Sequence, residues 1–178
     1  CEIVRQWTTF HPEFAYLPRK FKIAINGSAS DRAAIEVHDI GLEPVFNEAG
    51  ELGFRVLVGG GLGRTPVVGA FINEFLPWPD LLSYLEAILR VYNRYGRRDN
   101  KYKARIKILV KALTPEVFAE RVEAEMVHLR GGSNTLTEAE VQRIAKHFVD
   151  PDYKALPDFG AELAELDKQH PGFARWRT

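Results

Sequence analysis

Alternating apolar and polar residues in the first third of the chain predict β-strands. The clearest is ELGFRVLVGG (51–60), because successive strand side chains point to opposite faces and its apolar residues share one face: Leu52, Phe54, Val56 and Val58. Residues 20–26 predict another strand. Alternation at Ile35 and Val37 predicts a third in AAIEVHDIGLEPVF, with an irregular end near Gly41 and Pro44.

Apolar residues at three- and four-residue steps predict helices in the rest of the chain. PWPDLLSYLEAILRVYNRYG carries one such stripe, starting after an N-cap at Asp80 and formed by Leu81, Leu85, Ile88 and Tyr92. Residues 99–113 also predict a helix, although IKILV alone could form a strand. Further helices are predicted at 115–129, 137–148 and 161–169, the second opened by the capping box Thr137 and Glu140. Strands followed by helices predict an α+β fold, a mixed β-sheet packed with helices.

Composition limits the function without naming it. The 178 residues suit one domain with an extension, and a net charge of zero gives no strong overall attraction to nucleic acid or membrane. No apolar run could span a bilayer. The single cysteine, Cys1, excludes a disulfide framework or cysteine-ligated metal site and fits a reducing, cytoplasmic location. The start has neither a signal-peptide core nor an initiator methionine, so we expect a fragment or a processed piece.

Two lysines stand two residues apart in AYLPRKFKIAING (15–27). In a strand, Lys20 and Lys22 would share one face, about 7 Å apart. One interpretation is an edge strand whose lysines lie in water and prevent aggregation. The other is a paired cationic surface that holds an anion.

A run of glycines follows the clearest strand, in VGGGLGRTP (58–66). Its spacing matches neither the P-loop nor the dinucleotide-binding fingerprint. One interpretation is a tight exit from the strand, since glycines permit backbone shapes closed to other residues. The other is a loop that lies against an acidic ligand, with Arg64 adding charge.

A basic segment, residues 90–111, holds nine Lys and Arg side chains against one acidic residue, Asp99. Basic residues interleaved with tyrosines are typical of single-stranded nucleic-acid binding. Cations at a helix end also have a purely structural explanation, because they interact favourably with the negative helix terminus. The five histidines are scattered and predict no metal site.

Three of these stretches together resemble one family. CEIVRQWTTFHPEFAYLPRKFKIAING, GFRVLVGGGLGRTP and RYGRRDNKYKARIKILV resemble the sirohaem-dependent nitrite and sulfite reductases, in the first of their two sirohaem/iron–sulfur repeats. The resemblance implies a repeat domain over residues 1–132, truncated at its N-terminus. Residues 133–178 would be a helical connector toward the next ferredoxin-like half.

The resemblance also implies roles for particular residues. Lys20 and Lys22 would point at the distal face of sirohaem, where the oxyanion binds, and would supply charge and protons. The glycine loop would lie close to the cofactor, which makes Gly60, Gly61 and Arg64 candidate cofactor-binding residues. The parent enzyme would reduce sulfite to sulfide or nitrite to ammonia with six electrons.

This chain departs from the family pattern in one important respect. The family holds its 4Fe–4S cluster with four cysteines of the second repeat, and those cysteines are absent here. We therefore expect the chain alone to be inactive and its partners to be the rest of the reductase and a ferredoxin or flavoprotein donor. Neither nucleic acid nor membrane is an expected partner on this interpretation. The alternative is a non-catalytic module that uses residues 90–111 to bind nucleic acid or an acidic protein.

Overall fold

A four-stranded mixed sheet organises the first part of the computed structural model, which describes residues 1–177. Its strands, in spatial as well as chain order, are β1 (Ile23–Ile25), β2 (Ile40–Phe46), β3 (Leu52–Val58) and β4 (Ala70–Pro77). β1 and β2 are parallel, and Ile23 pairs with Ile40. β2, β3 and β4 are successively antiparallel. Because β1 needs a crossover to become parallel to β2, residues 26–39 must return along the sheet before β2 begins.

Within the described residues, eight α-helices accompany the sheet. They are α1 (Glu2–Thr8), α2 (Pro12–Ala15), α3 (Leu81–Tyr95), α4 (Ile106–Leu113), α5 (Pro115–Leu129), α6 (Glu138–Ala145), α7 (Gly160–Gln169) and α8 (Pro171–Arg177). Short 3₁₀ turns lie at Ile35–Val37, Trp78–Asp80 and Lys101–Lys103. The mixed sheet and these helices confirm the predicted α+β fold, and α4 resolves the ambiguity of IKILV in favour of a helix.

The core forms where α3 packs against the sheet. All four residues of the predicted α3 stripe are buried, and so are sheet residues that alternate along β2 and β3: Ile40, Leu42, Val56 and Val58. α5 adds a second buried helical stripe at Phe118, Val122 and Met126. The apolar periodicity therefore predicted the inward face of α3 and, at Val56 and Val58, that of β3. Asp80 stands at the N-cap position of α3, but its side chain makes no capping hydrogen bond.

Two strand predictions were wrong in extent. The first strand starts at Ile23 and not at residue 20, so both lysines precede it. Ile35 and Val37 lie in a 3₁₀ turn, because Ala34 is left-handed (φ 52°) and the Asp31 carboxylate accepts the Ile35 amide at 2.9 Å. Local hydrogen bonding of this kind competes with strand formation.

The sequence analysis did not predict β4, because an irregularity breaks the alternation of its side chains. Val56 pairs with Asn73, whereas Phe54 pairs with Leu76, so the register shifts between these two pairs. The ring of Phe75 covers Gly53 so closely that a Cβ there would lie 2.4 Å from it. A shift of this kind reverses the facing of the following side chains.

The chain divides into two compact units, Cys1–Ala145 and a second that begins at Lys146. In the first unit, the Leu136 amide donates to the Pro79 carbonyl, and the Thr137 hydroxyl caps α6 by accepting the Glu140 amide at 3.3 Å. The second unit contains α7, where a helix was predicted, and α8. The family boundary predicted after residue 132 stays a prediction, because compactness does not identify a family repeat. None of the described helices is long and apolar enough to cross a bilayer.

Candidate functional site

Five cationic side chains converge on one cleft of about 520 Å³, which we call the cationic cleft. Its lining comprises Arg19, Lys20, Leu62, Gly63, Arg64, Thr65, Tyr102, Arg105, Lys107 and Ile108. Among these described lining residues there is no carboxylate. Three separate segments therefore contribute its walls: the residues before β1, the loop after β3, and the start of α4.

The first wall is the segment that carries the two predicted lysines. Lys20 lines the cleft, whereas Lys22 does not, although both are exposed. Phe21, between them, packs inward against the ring of Tyr92, with ring centroids 5.6 Å apart. The backbone amide of Lys22 donates to Asp39 Oδ2 at 3.0 Å. Packing of the half-buried Phe21 and this hydrogen bond fix the segment, so strand alternation does not position the lysines.

The start of α4 forms the second wall. Arg105 donates from Nε and Nη2 to Asp39 Oδ1, at 2.8 and 2.7 Å. Lys107 is only 8% exposed, and its Nζ donates to the Thr65 carbonyl at 2.7 Å. The buried Tyr92 hydroxyl donates to the Ala104 carbonyl, next to Arg105. Tyr92 thus contacts both walls from beneath.

The glycine loop is the third wall, and its glycines serve close packing. A Cβ on Gly60 would lie 2.3 Å from the Glu36 carbonyl oxygen, so the backbone of residues 36–38 occupies that space. A Cβ on Gly61 would lie 3.1 Å from the side chain of Lys107 and 3.2 Å from that of Arg105. Gly61 and Val67 exchange two backbone hydrogen bonds of 2.9 Å, which close the exposed loop 62–66. The structure therefore brings Lys20 and Arg64 into the lining of the cleft, whereas Gly60 and Gly61 are not part of that lining.

Charge in the cleft is only partly compensated. Within residues 1–177, neither Lys20 nor Arg64 has a hydrogen bond or an ion pair, whereas Asp39 neutralises Arg105 from below. Burial, with a contribution from the nearby Asp39 carboxylate, raises the pKa of Tyr92 to about 12. A concave surface with unpaired cations and no lining carboxylate attracts anions, and arginine binds carboxylates in a bidentate manner.

Most cations of the basic segment 90–111 already have partners within the chain. Carboxylates hold three of its arginines: Arg90 on Glu86, Arg94 on Glu125, and Arg97 on Asp99. Arg98 donates to the backbone carbonyls of Tyr16 and Asn93. Together with the engagement of Arg105 and Lys107, these contacts favour the structural explanation of the segment over a nucleic-acid surface.

The sequence analysis missed three of the five cleft cations: Arg19, Arg105 and Lys107. Arg19 precedes Lys20 directly and donates to the Lys101 carbonyl. The density of cations in 90–111 was the available signal for the other two, but spacing along the chain does not reveal which cations turn toward a distant segment. No group of three or more His, Cys, Asp or Glu side chains in the described part of the chain could hold a metal ion, and Cys1 is exposed.

Comparison with known proteins identifies the family. Residues 1–129 match the family described as the nitrite and sulphite reductase 4Fe-4S domain. The match covers most of the chain, so the chain belongs to this family.

Relatives and a solved structure agree with this assignment. The chain is 32% identical over 149 residues to "Sulfite reductase [ferredoxin] 1" of Mycolicibacterium paratuberculosis, across 84% of this chain and 25% of the relative. It is 35% identical to "Ferredoxin--nitrite reductase" of Leptolyngbya laminosa, across 66% of this chain and 23% of the relative. The solved NirA protein of Mycobacterium tuberculosis superposes with a TM-score of 0.63 and 32% identity, covering 71% of this chain and 23% of that one. The chain spans about a quarter of the length of the proteins it matches.

Proposed function

We propose that this chain is part of an assimilatory sulfite or nitrite reductase and supplies cations that hold an anionic cofactor and substrate. The parent enzyme would reduce sulfite to sulfide or nitrite to ammonia with six electrons. Family membership and the names of the relatives support the enzyme class. The observation that carries the role of this chain is the cationic cleft, with five cations and no lining carboxylate.

The cleft fits the periphery of sirohaem, the cofactor proposed here. Sirohaem carries eight carboxylates, so its binding requires several cations in one place. Arg19, Arg105 and Lys107 are fixed by hydrogen bonds, and each would hold carboxylates with its remaining N–H groups. When bound, sirohaem would supply the iron centre at which electrons reach the substrate.

Lys20 and Lys22 would serve the substrate anion. Both are exposed, and an ammonium group can attract sulfite or nitrite and donate a proton to it. We propose Lys20 and Lys22 as the catalytic residues. Gly60 and Gly61 would let the loop after β3 lie close to the cofactor, and Arg64 would add a positive charge.

A 4Fe–4S cluster does not fit the residues of this chain. Such clusters are held by four cysteine thiolates, and the chain has one cysteine. No step of the proposal passes through a cluster on these residues. We therefore expect the 178-residue chain alone to be inactive, and sulfite-dependent oxidation of reduced methyl viologen by this chain would contradict that expectation.

The proposal extends to partners and location. Both relatives described above carry ferredoxin in their names, and we propose ferredoxin as the electron donor of the parent enzyme. The remaining protein partner would be the rest of the reductase, with its N-terminal half and second repeat. We propose a cytoplasmic location, consistent with the single cysteine of the chain.

The proposal is tested by the visible absorption of the complete reading frame, expressed in cells that make sirohaem. We expect a Soret-type band that shifts on addition of sulfite or nitrite. The double variant Lys20→Ala/Lys22→Ala should retain the band and lose most of the shift. A matched control removes two lysines of the second unit, Lys154→Ala/Lys168→Ala, and should behave as the unmodified protein. A colourless protein would refute the proposed function, and an unchanged shift in the lysine variant would refute the role of the lysines.

A further inference from the structure

One buried carboxylate connects all three walls of the cationic cleft. Asp39 is fully buried, and its Oδ2 accepts the amide of Lys22 in the first wall. Its Oδ1 accepts Nε and Nη2 of Arg105 in the second wall. Its backbone carbonyl accepts the amide of Gly59, which opens the glycine loop, at 3.0 Å. The three segments are far apart in sequence and share this single residue.

The surroundings make the geometry of these contacts well defined. The Arg105 side chain is 15% exposed and the Asp39 side chain 1%, so water competes little for the hydrogen bonds. Two of the five guanidinium N–H donors face Asp39, which leaves the remaining three for a ligand in the cleft. A guanidinium held in this way loses little rotational freedom when it binds an anion.

We infer that Asp39 is a positioning residue for anion binding, acting through Arg105 and the Lys22 backbone. This inference rests on the proposed function, because it concerns the same cleft and the same carboxylate-rich ligand. Asp39 itself does not line the cleft. Its role is to fix the orientation of Arg105 and the separation between the lysine segment and the start of α4.

Charge and geometry make opposite predictions for the loss of this carboxylate. Asp39→Asn removes a negative charge beneath a cationic cleft, so charge alone would tighten anion binding. The asparagine amide group would also turn an N–H donor toward either Arg105 or Lys22, and one connection would be lost. If positioning dominates, anion binding weakens even though the cleft has become more positive.

The test measures binding of uroporphyrin III, an iron-free porphyrin with eight carboxylates, to the 178-residue chain. Binding is followed by porphyrin fluorescence at a temperature where circular dichroism shows every variant folded. We expect Asp39→Asn to weaken binding about tenfold, the effect of losing one hydrogen bond to a charged group. Asp39→Glu keeps the negative charge and changes the geometry, so it should also weaken binding. If Asp39→Asn does not fold, the affinity of Asp39→Glu tests the positioning role instead.

A variant with a similar loss of stability serves as the control. Glu86 is buried and pairs with Arg90, yet it contacts no residue of the cleft. Glu86→Gln should therefore lower the melting temperature and leave the affinity for uroporphyrin III unchanged. Asp39→Asn should weaken binding less in an Arg105→Ala background than in the unmodified chain, because part of the effect of Asp39 passes through Arg105.

The outcomes separate the two proposals. If the unmodified chain binds uroporphyrin III and folded Asp39→Asn binds it equally or more tightly, the positioning role is wrong and the proposed function stands. If the unmodified chain does not bind uroporphyrin III, the proposed function is overturned, and the role of Asp39 is overturned with it. Weaker binding by both Asp39 variants, with unchanged binding by the Glu86→Gln control, supports the proposed function and the positioning role of Asp39.

Discussion

Gly60 and Gly61 are adjacent, but the same substitution should affect them differently. An alanine Cβ at Gly60 would lie 2.3 Å from the Glu36 carbonyl oxygen and 2.6 Å from that of His38. Both are backbone atoms, and the Glu36 carbonyl also accepts the Gly69 amide at 2.7 Å. The residues around the glycine loop must therefore move together to admit the methyl group.

This movement sets the size of the effect. Overpacking against rigid atoms costs typically 1–3 kcal/mol, so we expect Gly60→Ala to lower the free energy of unfolding by about 3 kcal/mol. For a protein of this length, that loss lowers the melting temperature by roughly 6–12 °C. At Gly61 the neighbours are side-chain atoms of Lys107 and Arg105, at 3.1 and 3.2 Å, which need to shift by only a few tenths of an ångström, and a cost below about 1 kcal/mol is expected. Gly61→Ala should instead displace these two cations and weaken uroporphyrin III binding.

Urea unfolding and uroporphyrin III binding, measured on both variants, test this reasoning. Gly27→Ala is the control, because a Cβ there meets nothing within 4 Å, and its stability should change by less than about 0.5 kcal/mol. Equal loss of stability in the Gly60 and Gly61 variants would refute the distinction between backbone and side-chain neighbours. A Gly60→Ala variant as stable as the Gly27 control would refute the close packing itself.

Two further predictions concern a buried cation that lines the cleft and a buried tyrosine next to it. Lys107→Met keeps the apolar stem of the side chain and removes the ammonium group that donates to the Thr65 carbonyl. We therefore expect uroporphyrin III to bind about tenfold more weakly and the amides of residues 62–66 to exchange faster. Tyrosine titrates near 10 when unfolded, and burial raises the pKa of Tyr92 to about 12. A raised pKa leaves stability unaffected below pH 10 and removes about 3 kcal/mol as the pH rises to 12. Burial also raises the pKa of Tyr84, so urea unfolding of Tyr92→Phe should show a loss that is smaller by about 3 kcal/mol than that of the unmodified chain.

The sequence predicted the elements whose hydrophobic faces are regular. The stripe of α3 is buried as expected, and in β3 the predicted face is buried at Val56 and Val58 and half-buried at Leu52 and Phe54. β4 has the composition of a strand, but the register shift near Phe75 breaks its period, so alternation could not reveal it. The strand expected at residues 35–37 became a turn because Asp31 bonds the Ile35 amide, a competition that apolar alternation does not describe.

The same limit applies to the cationic cleft. Family resemblance drew attention to Lys20 and Lys22, and alternation implied that they share one face. The fold instead brings Lys20 together with Arg64, Arg105 and Lys107, which are 44 to 87 positions away in the sequence. The segments that carry them are connected by Asp39, which bonds to Arg105 and to the amides of Lys22 and Gly59. Neither composition nor spacing distinguishes this residue from any other aspartate. A buried carboxylate is costly unless cations and amides surround it. Its burial next to a cationic cleft is therefore informative, because the contacts that make Asp39 tolerable also fix the walls that would hold an anion.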